Sequence, residues 1–378
     1  MLEPSLEEVE RFQKEKHLKI LIYRFGQLGD TIVALPALWS LRHAFPEAHL
    51  TYLYSDHPGR GFVLPQEILP HEGLIDDWIA YVREDPGKAR NLYRSWKTLH
   101  ARQFDVLVYL LPRLRTRLTI WRDLAFFRST GIRYVVGSKG FHSLPPRVAG
   151  QPLSSVEHEA DHLLQRLALS HLPTPANNRG NMDLKLTSEE KTAAEDWLRT
   201  RVPGYSSAFL LVGFGPGSKW PSKIWPAERF QELGRLLISQ LSLLPIVFGG
   251  RGDGPLANQF IKHWGKGVSA AGELGIRAAA ATLAHCRLFV GNDTGTMHLA
   301  AAVGTPCVGI FSAQDWPGRW HPYGPNHIVL RRSVPCEGCG LEVCFKEGLR
   351  CLKEISVDDV LQACRTVLRG QSSKDPFG

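Results

Sequence analysis

The stretch "GNDTGTMHLAAAVG", residues 291–304, decides the fold because it joins a strand to a helix with almost no connection between them. The apolar run Cys286–Val290 before it is typical of a strand, and the residues from Thr294 onward predict a helix that ends at Gly304. Asp293 or Thr294 is expected to cap that helix. Backbone N–H groups at the positive end of a helix suit a phosphate. A turn that only needed glycine and a cap is the alternative interpretation.

Short apolar runs alternate with helical patterns along the rest of the chain, and their near-continuous apolar character is typical of parallel strands buried on both faces. The runs of the first half are Leu18–Tyr23, Leu50–Tyr54, Leu74–Tyr81, Asp105–Leu110 and Tyr134–Gly137. The runs of the second half are Ala208–Val212, Pro245–Phe248, Cys286–Val290, Pro306–Phe311 and His327–Leu330. Helical patterns include Val156–Leu172, Ser188–Arg201, Ala227–Gln240, Arg277–Ala284 and Val357–Arg369. The pattern predicts an α/β protein with two doubly wound domains.

The domain boundary is predicted by composition. The stretch "HLPTPANNRGN", residues 171–181, has the Pro, Asn and Gly content of a linker. We therefore expect a first domain over 18–172, a linker over 173–181 and a second domain over 182–355. Residues 1–17 form an N-terminal extension in which Ser5 and Glu8 predict a capped, solvent-facing helix. Residues 356–378 are expected to form a helix and tail that pack back toward the first domain.

The bulk composition is that of a folded soluble protein, with 43% hydrophobic and 22% charged residues among 378. The sequence has no run of 18 apolar residues, and its N-terminus lacks the apolar core of a signal peptide. We therefore expect a cytoplasmic protein.

The net charge of +8 has a local origin, because basic residues crowd one segment of the chain. Opposed only by Asp123, they are Arg113, Arg115, Arg117, Arg122, Arg128, Arg133, Lys139 and Arg147. A basic face suits nucleic acid, an anionic membrane surface or a phosphorylated substrate, and a solvated helix face is the alternative. No zinc-finger spacing, RNP-like strand or basic zipper accompanies the segment, so we expect no nucleic-acid partner.

A second strand–helix junction lies in "ILIYRFGQLGDTIVALPALWSLRHAFP", residues 20–46. It lacks the G-x-G-x-x-G fingerprint of dinucleotide-binding proteins. Asp30 opens the helix, where it is either a cap or a carboxylate able to act as a general base. Pro36 lies within the helical pattern and predicts a kink or an irregular first turn.

Two further glycine-containing loops follow strands in the second half. "GFGPGSKWPSKIWPAERF", residues 213–230, combines glycines with Ser218, Lys219 and Lys223, as expected of a phosphate cradle, although it is not a P-loop. A surface loop with two solvated lysines is the alternative. In "IVFGGRGDGPLANQF", residues 246–260, Asp253 is placed either to bind ribose hydroxyls or to cap a helix. His298 is either a packed residue or a group acting beside the anion site.

Four of the seven cysteines fall within "CEGCGLEVCFKEGLRC". They are Cys336, Cys339, Cys344 and Cys351. In a cytoplasmic protein this spacing favours a structural zinc or iron ion bound by the four thiolates. Disulfide or redox use and inert packing are the alternatives. Cys286, Cys307 and Cys364 are expected to be core residues.

Together these segments resemble glycosyltransferase family 9, the ADP-heptose:lipopolysaccharide heptosyltransferase family. The resemblance also includes "FDVLVYLL", "GIRYVVG", "FVGNDTGTMHLAAAVGTPCVGIFSAQDWPGRWHPYG" and "CLKEISVDDVLQAC", and covers the chain from residue 18 to about 366 in the family's order. It implies a GT-B fold, with two Rossmann-like doubly wound parallel-sheet domains facing across a cleft. The first domain of such a protein binds the acceptor and the second binds the sugar nucleotide.

The resemblance implies an inverting transfer of a heptose or related sugar from an ADP-sugar, ADP-heptose, to a phosphorylated lipopolysaccharide inner-core glycolipid, with no cofactor for catalysis. The family's catalytic aspartate corresponds to Asp30, as general base, and its phosphate-binding lysine to Lys223. Its ribose-binding acid corresponds to Asp253, where Glu is more usual. The remaining donor-binding positions implied by the resemblance are Ser218, Lys219, Asp293, Thr294, Gly295, Thr296 and His298, with Thr296 standing where Pro is common.

Under the same resemblance, Arg113, Arg115 and Arg117 would meet acceptor phosphates and hold the protein at the cytoplasmic face of the inner membrane. A family branch that modifies autotransporter proteins binds iron through clustered cysteines, which supports a metal at the cysteine cluster. Two alternatives remain: a family member that glycosylates a protein or another glycan, and a non-catalytic GT-B-like protein that binds a metal or an anion.

Overall fold

The computed structural model describes residues 1–57, 62–82, 88–113, 115–141, 144–148, 151–206 and 208–372. The chain forms two compact units. The first comprises Met1–Leu144 and Glu159–Met182, and the second Pro145–His158 and Asp183–Gly378. Inclusion of residues 145–158 in the second unit was not predicted. It follows from hydrogen bonds of this segment, in which Val156 N–H donates to Pro317 O (2.8 Å) and Leu153 N–H to Glu337 Oε1 (2.6 Å).

The first unit is built on a parallel sheet with strand order β3-β2-β1-β4-β5. Its strands are Lys19–Tyr23 (β1), His49–Asp56 (β2), Asp77–Val82 (β3), Val106–Tyr109 (β4) and Tyr134–Val136 (β5). Its helices are Leu6–Gln13 (α1), Leu28–Val33 (α2), Leu35–Ala44 (α3), Lys88–Arg102 (α4), Arg117–Ser129 (α5) and Glu159–Ala168 (α6), with a 3₁₀ turn at Pro65–Glu67. The strand order reverses at β1, and such switch points are where open α/β sheets bind ligands.

The second unit has a parallel sheet with strand order β11-β10-β9-β6-β7-β8. Its strands are Leu211–Gly215 (β6), Leu244–Val247 (β7), Val268–Ser269 (β8), Cys286–Asn292 (β9), Cys307–Phe311 (β10) and Ile328–Arg331 (β11). Its helices are Ser188–Arg201 (α7), Ala227–Leu241 (α8), Gly254–Trp264 (α9), Ile276–Leu283 (α10), Gly295–Ala302 (α11), Arg350–Lys353 (α12) and Val357–Ser372 (α13), with 3₁₀ turns at Pro221–Lys223 and Arg251–Asp253. The predicted α/β class with two parallel sheets is confirmed.

A buried arginine braces the carboxyl ends of two strands in the first unit. Arg166, on α6, is fully buried and donates to the carbonyl oxygens of Tyr109, Leu111 and Gly137. Its guanidinium also lies 3.7 Å from the Phe141 ring centroid. Burial lowers the pKa of this arginine to about 9. Because these carbonyls lie at or just after the ends of β4 and β5, one side chain fixes both strand ends.

The N-terminal extension belongs to the first unit rather than standing apart from it. Ser5 and Glu8 form the predicted capping box of α1. The helix is not wholly solvent-facing, since Val9 and Phe12 are buried and Phe12 packs edge-on against Tyr134 of β5. The extension therefore contributes apolar surface to the sheet edge.

The last helix corrects another expectation. We expected α13 to pack toward the first domain, but its apolar face lies in the core of the second unit. Val360, Leu361 and Cys364 are buried there with Trp225 and Phe230. A helix with a wide apolar stripe must cover it, and the strands and helix α8 beside it supply that surface.

Among the described residues, no helix combines the length and the apolar character needed to cross a membrane.

Candidate functional site

The site of the second unit lies at the switch point of its sheet, where the adjacent strands β6 and β9 both end. Strand β6 leads into the Gly-Pro-Gly-Ser loop, and β9 leads into Asp293 and helix α11. Asn292 joins these elements. It is fully buried, its Nδ2 donates to Pro216 O (2.7 Å), and its Oδ1 accepts from Trp225 N–H (3.1 Å). One amide therefore fixes three loops that carry predicted site residues.

Lys223 and Asp293 form the central ion pair of this site. Lys223 Nζ lies 2.6 Å from Asp293 Oδ2, and the two side chains are 20% and 9% exposed. Ser222, next to the lysine, fixes the turn by donating its N–H to Glu342 O (3.1 Å) and its hydroxyl to Leu341 O (2.5 Å). The loop of residues 341–342 therefore supports the turn that presents the lysine.

Helix α11 begins without a side-chain cap. Thr294 occupies the N-cap position with extended backbone, but neither of the two predicted caps forms a cap hydrogen bond. Its Oγ1 is buried and has no hydrogen-bond partner among the described residues. The first N–H groups of the helix, at Gly295 and Thr296, are thus not occupied by a cap, and they suit an anion. Gly304 has the predicted left-handed conformation (φ +79°).

His298 lies on the first turn of α11 and is 3% exposed. Burial, reinforced by the positive charges of His158 and Lys223, lowers its pKa to about 3. The ring is therefore neutral near pH 7. Its Nδ1 is buried without a hydrogen-bond partner in the described part of the chain. A buried polar atom of this kind is available to a ligand that enters the site.

The Asp253 carboxylate lies very close to the backbone at two glycines. A Cβ on Gly217 would lie 2.3 Å from Asp253 Oδ1, and a Cβ on Gly249 would lie 2.5 Å from its Oδ2. Both distances are too short, so only glycine allows the backbone to approach this carboxylate. Gly250 N–H donates to Asp253 Oδ2 (2.8 Å), which caps the 3₁₀ turn Arg251–Asp253. The predicted cap of the following helix α9 is wrong, because Asp253 occupies its N-cap position without a side-chain cap hydrogen bond. The ribose-binding role of Asp253 stays a prediction.

Ser218 and Lys219 lie on the Gly-Pro-Gly-Ser loop. Ser218 Oγ accepts from Trp220 N–H (3.3 Å). Its hydroxyl hydrogen is still able to donate to a ligand, because a hydroxyl both donates and accepts. The Lys219 side chain is largely exposed, although partial burial lowers its pKa. Their roles in donor binding stay predictions.

Asp30 lies at the switch point of the first sheet, where the loop after β1 enters α2. Its Oδ2 accepts from Gln27 N–H (3.0 Å), and its Oδ1 lies 3.9 Å from Arg24 Nη2. Arg24 is buried and fixed by Leu110 O and by the main-chain oxygen of Asp30, both at 2.7 Å. A Cβ on Gly26 would lie 2.2 Å from Asp30 Cβ, so glycine is required there.

The two interpretations of Asp30 are compatible in this geometry. One oxygen makes the helix-cap bond, and the carboxylate is still 30% exposed. The helical pattern breaks at Ala34, and Pro36 lies in the first turn of the second helix α3, in agreement with the predicted irregularity.

The three arginines predicted to bind acceptor do not share one exposed face. Arg113 is 6% exposed, and Glu159, fully buried, accepts from both its N–H (2.8 Å) and its Nε (3.1 Å). Arg115 is half-buried, and Arg117 is exposed at the start of α5. The accessible part of the basic segment thus begins at Arg115, and contact with acceptor stays a prediction for these residues.

The cysteine cluster does not form the predicted metal site. All seven cysteines are free thiols, and no group of three or more His, Cys, Asp or Glu within the described ranges is arranged to hold a metal ion. Burial raises the pKa of Cys336, and the nearby thiols of Cys339 and Cys351 add to it. Cys344 Sγ instead accepts from Leu349 N–H (3.3 Å). The four thiols therefore do not fit four-coordinate zinc or iron in this arrangement. Cys286, Cys307 and Cys364 are buried, as predicted.

Sequence reasoning missed the residues that hold the others in place. They are Asn292, Arg24, Ser222 and Glu159. Asn292 stood in the decisive stretch beside Asp293, but nothing in the sequence distinguished a buried bridging amide from an ordinary turn residue.

Fold and site together define a two-unit α/β protein with a candidate anion site at a sheet switch point. The family model described as glycosyltransferase family 9 (heptosyltransferase) matches residues 92–349. Because that match covers more than half of the chain, the protein belongs to glycosyltransferase family 9.

Individual relatives agree with this membership. Lipooligosaccharide heptosyltransferase 2 of Campylobacter jejuni is 22% identical over 365 residues, covering 93% of this chain and 99% of that protein. Lipopolysaccharide heptosyltransferase 2 of Salmonella typhimurium is 32% identical over 134 residues, but this match spans only 33% of this chain and 37% of the relative.

Solved structures share the fold. The glycosyl transferase family 9 protein from Veillonella parvula superimposes with a TM-score of 0.69 at 24% identity, covering 93% of this chain and 97% of that one. The E. coli heptosyltransferase WaaC with ADP gives a TM-score of 0.60 at 19% identity, covering 93% and 100%. These likenesses establish the GT-B fold.

Proposed function

We propose that this protein transfers a heptose or a related sugar, with inversion, from an ADP-sugar to a phosphorylated lipopolysaccharide inner-core acceptor. The observation that carries the proposal is the Lys223–Asp293 pair beside the uncapped start of α11, at the switch point of the second sheet. Family membership and the names of the relatives, which are lipopolysaccharide and lipooligosaccharide heptosyltransferases, support the sugar and the acceptor class. The ADP in the E. coli WaaC structure supports the nucleotide.

In the proposed reaction, the second unit stabilises the leaving group. Negative charge builds on the diphosphate as the bond to the anomeric carbon breaks. Lys223, the Ser218 hydroxyl and the N–H groups at the start of α11 are suited to that charge. Asp293, which pairs with Lys223, would orient sugar hydroxyls. Asp253 would accept from the ribose.

The first unit supplies the base. The acceptor hydroxyl attacks the anomeric carbon from the face opposite the leaving group, and Asp30 accepts its proton. The Oδ2 atom is held by Gln27 N–H and the side chain is partly exposed, so the carboxylate is oriented yet accessible. Arg115 and Arg117 would meet acceptor phosphates. With this acceptor, we propose that the protein works at the cytoplasmic face of the inner membrane.

Two variants and two readouts test the proposal. Asp30→Asn should bind ADP in calorimetry as the parent protein does but lose transfer. Lys223→Ala should weaken ADP binding and reduce transfer by roughly 10²–10³-fold, as loss of one preorganised charge contact does. Lys266→Ala, an exposed lysine of the same unit, is the control. Near-normal transfer by Asp30→Asn would show that Asp30 is not the general base. Equal binding of ADP, UDP and GDP would contradict the assignment of an ADP-sugar as the donor.

A further inference from the structure

Helices α4 and α5 of the first unit expose an unusual share of large apolar side chains. Among the described residues, Leu92 (46% exposed) and Tyr93 (64%) lie on α4, and Leu118 (74%) and Trp121 (68%) lie on α5. They are four of twelve such exposed side chains in the part of the chain that is described. Exposed apolar residues that gather on one surface mark an interaction site, whereas single scattered ones do not.

The two helices are neighbours on one side of the sheet, because they lead into the adjacent parallel strands β4 and β5. Trp96 Nε1 of α4 donates to Ser129 Oγ of α5 (3.1 Å). Trp121 lies two helical turns before Ser129 in the same row, and Tyr93 stacks with Trp96 at 6.3 Å. The exposed apolar residues of both helices therefore lie near one seam. Arg94 and Lys97 lie beside Tyr93 on the outward side of α4, where Lys97 is three residues from Arg94 and four from the tyrosine. We call Leu92, Tyr93, Arg94, Lys97, Leu118 and Trp121 the α4–α5 face.

The charges of this surface have one sign. Helix α4 contains no acidic residue, and the acid of α5, Asp123, is buried and bound by Arg122 and by the Tyr109 hydroxyl. Arg94, Lys97 and Arg128 are exposed and form no ion pair with any described residue. Cations interleaved with exposed Trp, Tyr and Leu match the headgroup region of a membrane, where aromatic rings and long basic side chains both partition.

We propose that the α4–α5 face docks on the surface of an anionic lipid bilayer. Charge complementarity selects this occupant. A second copy of the chain would place like charges opposite each other across a two-fold interface. Nucleic acid would pair with the basic side chains, but it would offer no apolar surface to the largely exposed Leu118. This proposal rests on the proposed function, because a lipid-linked acceptor is what would require the protein to dock on a membrane. Binding to the bilayer itself requires neither donor nor acceptor.

The test measures binding of the full chain to vesicles that contain no glycolipid. Phosphatidylglycerol–phosphatidylcholine vesicles should bind the protein in a flotation assay, and vesicles of phosphatidylcholine alone should bind it at least tenfold more weakly. Hydrogen–deuterium exchange on the anionic vesicles should show protection concentrated in residues 88–102 and 117–129. Protection elsewhere in the chain would overturn the assignment of this face.

Two independent double variants separate the apolar and charged parts. Arg94→Gln with Lys97→Gln should weaken binding by roughly 10- to 30-fold, since each basic residue near an anionic leaflet contributes about fivefold. Leu118→Gln with Trp121→Gln should weaken it by a similar factor, about 10- to 30-fold, because both apolar side chains lose their contact with the bilayer. Matched controls in the second unit are Phe345→Gln, an equally exposed aromatic residue (75%), and Lys262→Gln with Lys266→Gln. The controls should bind as the parent does.

The remaining outcomes reject the proposal. Unchanged vesicle binding in both double variants would do so. So would a concentration-dependent dimer abolished by Trp121→Gln, or tight binding of a single-stranded oligonucleotide without vesicle binding. Transfer to a de-acylated acceptor, measured on the same variants, tests the proposed glycosyltransferase function separately from membrane docking. If transfer persists while vesicle binding is absent, the docking face fails and the proposed function stands.

Discussion

At the scale of single residues, the donor site depends on a side chain that performs no chemistry. Asn292 is buried between Pro216, which lies in the Gly-Pro-Gly-Ser loop, and Trp225, which follows the 3₁₀ turn Pro221–Lys223. Both partners are main-chain groups, so their positions depend on the amide rather than on their own side chains. When the charged groups of a site lie on three separate loops, a side chain that hydrogen-bonds the loops to one another is needed to preorganise the site.

Replacing this amide should loosen the site and destabilise the fold together. Asn292→Ala leaves a buried carbonyl and a buried N–H without partners, at a cost of about 1–3 kcal/mol for each group. Asn292→Asp retains the acceptor for Trp225 N–H but directs a carboxylate oxygen at Pro216 O. We expect both variants to bind ADP more weakly, with Ala the less stable in chemical denaturation. Parent-like ADP affinity in a destabilised Asn292→Ala protein would limit the residue to a structural role.

The contact between Asp253 and its two glycines makes a sharper prediction, because the clashes differ in kind. The three atoms nearest to the Cβ of Gly217→Ala would all belong to the Asp253 carboxylate, whereas the Cβ of Gly249→Ala would also lie 2.7 Å from Asp253 Cβ. Removing the carboxylate with Asp253→Ala should therefore rescue Gly217→Ala but not Gly249→Ala. The free energy of unfolding in the two double-mutant cycles should show a coupling of about 1 kcal/mol in the first cycle. Equal coupling in both cycles would contradict this geometry.

At the scale of elements, the sequence predicted which segments are helices and which are strands better than it predicted where each one begins and ends. Helix α7 was predicted residue for residue, and in the structure Thr187 and Glu190 form a capping box at its start. Strand β6 was placed about three residues early. The glycines that end the apolar run, Gly213 and Gly215, suggested a loop, yet close packing of Phe289 against them keeps them in the strand. Strand β8 has only two residues, too few for a pattern.

Helix α13 could be predicted from the sequence, but the domain it packs against could not, because an apolar stripe does not identify the surface that covers it. Its burial in the core of the second unit predicts a large effect of truncation. Leu361→Ala should reduce the free energy of unfolding by about 2–5 kcal/mol, as for other buried leucines. The exposed Gln362→Ala on the same helix should change it by less than about 0.5 kcal/mol. A near-neutral Leu361→Ala, measured by urea denaturation, would show that the helix is not part of this core.

At the scale of the whole molecule, the sequence predicted a strand–helix junction in each sheet, but neither the strand order that places it at a switch point nor its supporting contacts. Strand–glycine–helix junctions at Asp30 and Asp293 are visible as local patterns. The pairing of Lys223 with Asp293 joins residues 70 positions apart, and the burial of Arg113 by Glu159 joins residues 46 apart. Such long-range contacts leave no local periodicity. The cysteine prediction failed for a related reason, since spacing alone does not determine whether neighbouring thiols adopt the geometry of a metal site.

Two histidines of the second unit link its stability to pH. His327 Nδ1 accepts from Cys307 N–H (3.0 Å), and His321 Nε2 accepts from Gly318 N–H (3.0 Å). Burial, the main cause, lowers the pKa of each ring to about 4. Protonation would also place a second N–H against each backbone donor. Both rings are therefore neutral in the folded protein at pH values where the unfolded chain, with an ordinary histidine pKa near 6.5, is protonated.

The sign of the pH effect follows from this difference. Between pH 6.5 and about 4 the unfolded state binds more protons, so stability is full above pH 6.5 and falls as the pH decreases through that window, by up to roughly 3 kcal/mol for each ring. His327→Asn and His321→Gln place an amide oxygen near the accepting nitrogen without a titrating group. Each should reduce the loss of melting temperature between pH 7.5 and 5, whereas His71→Asn, at an exposed position, should not. If the acid sensitivity of the double variant equals that of the parent protein, other groups govern it.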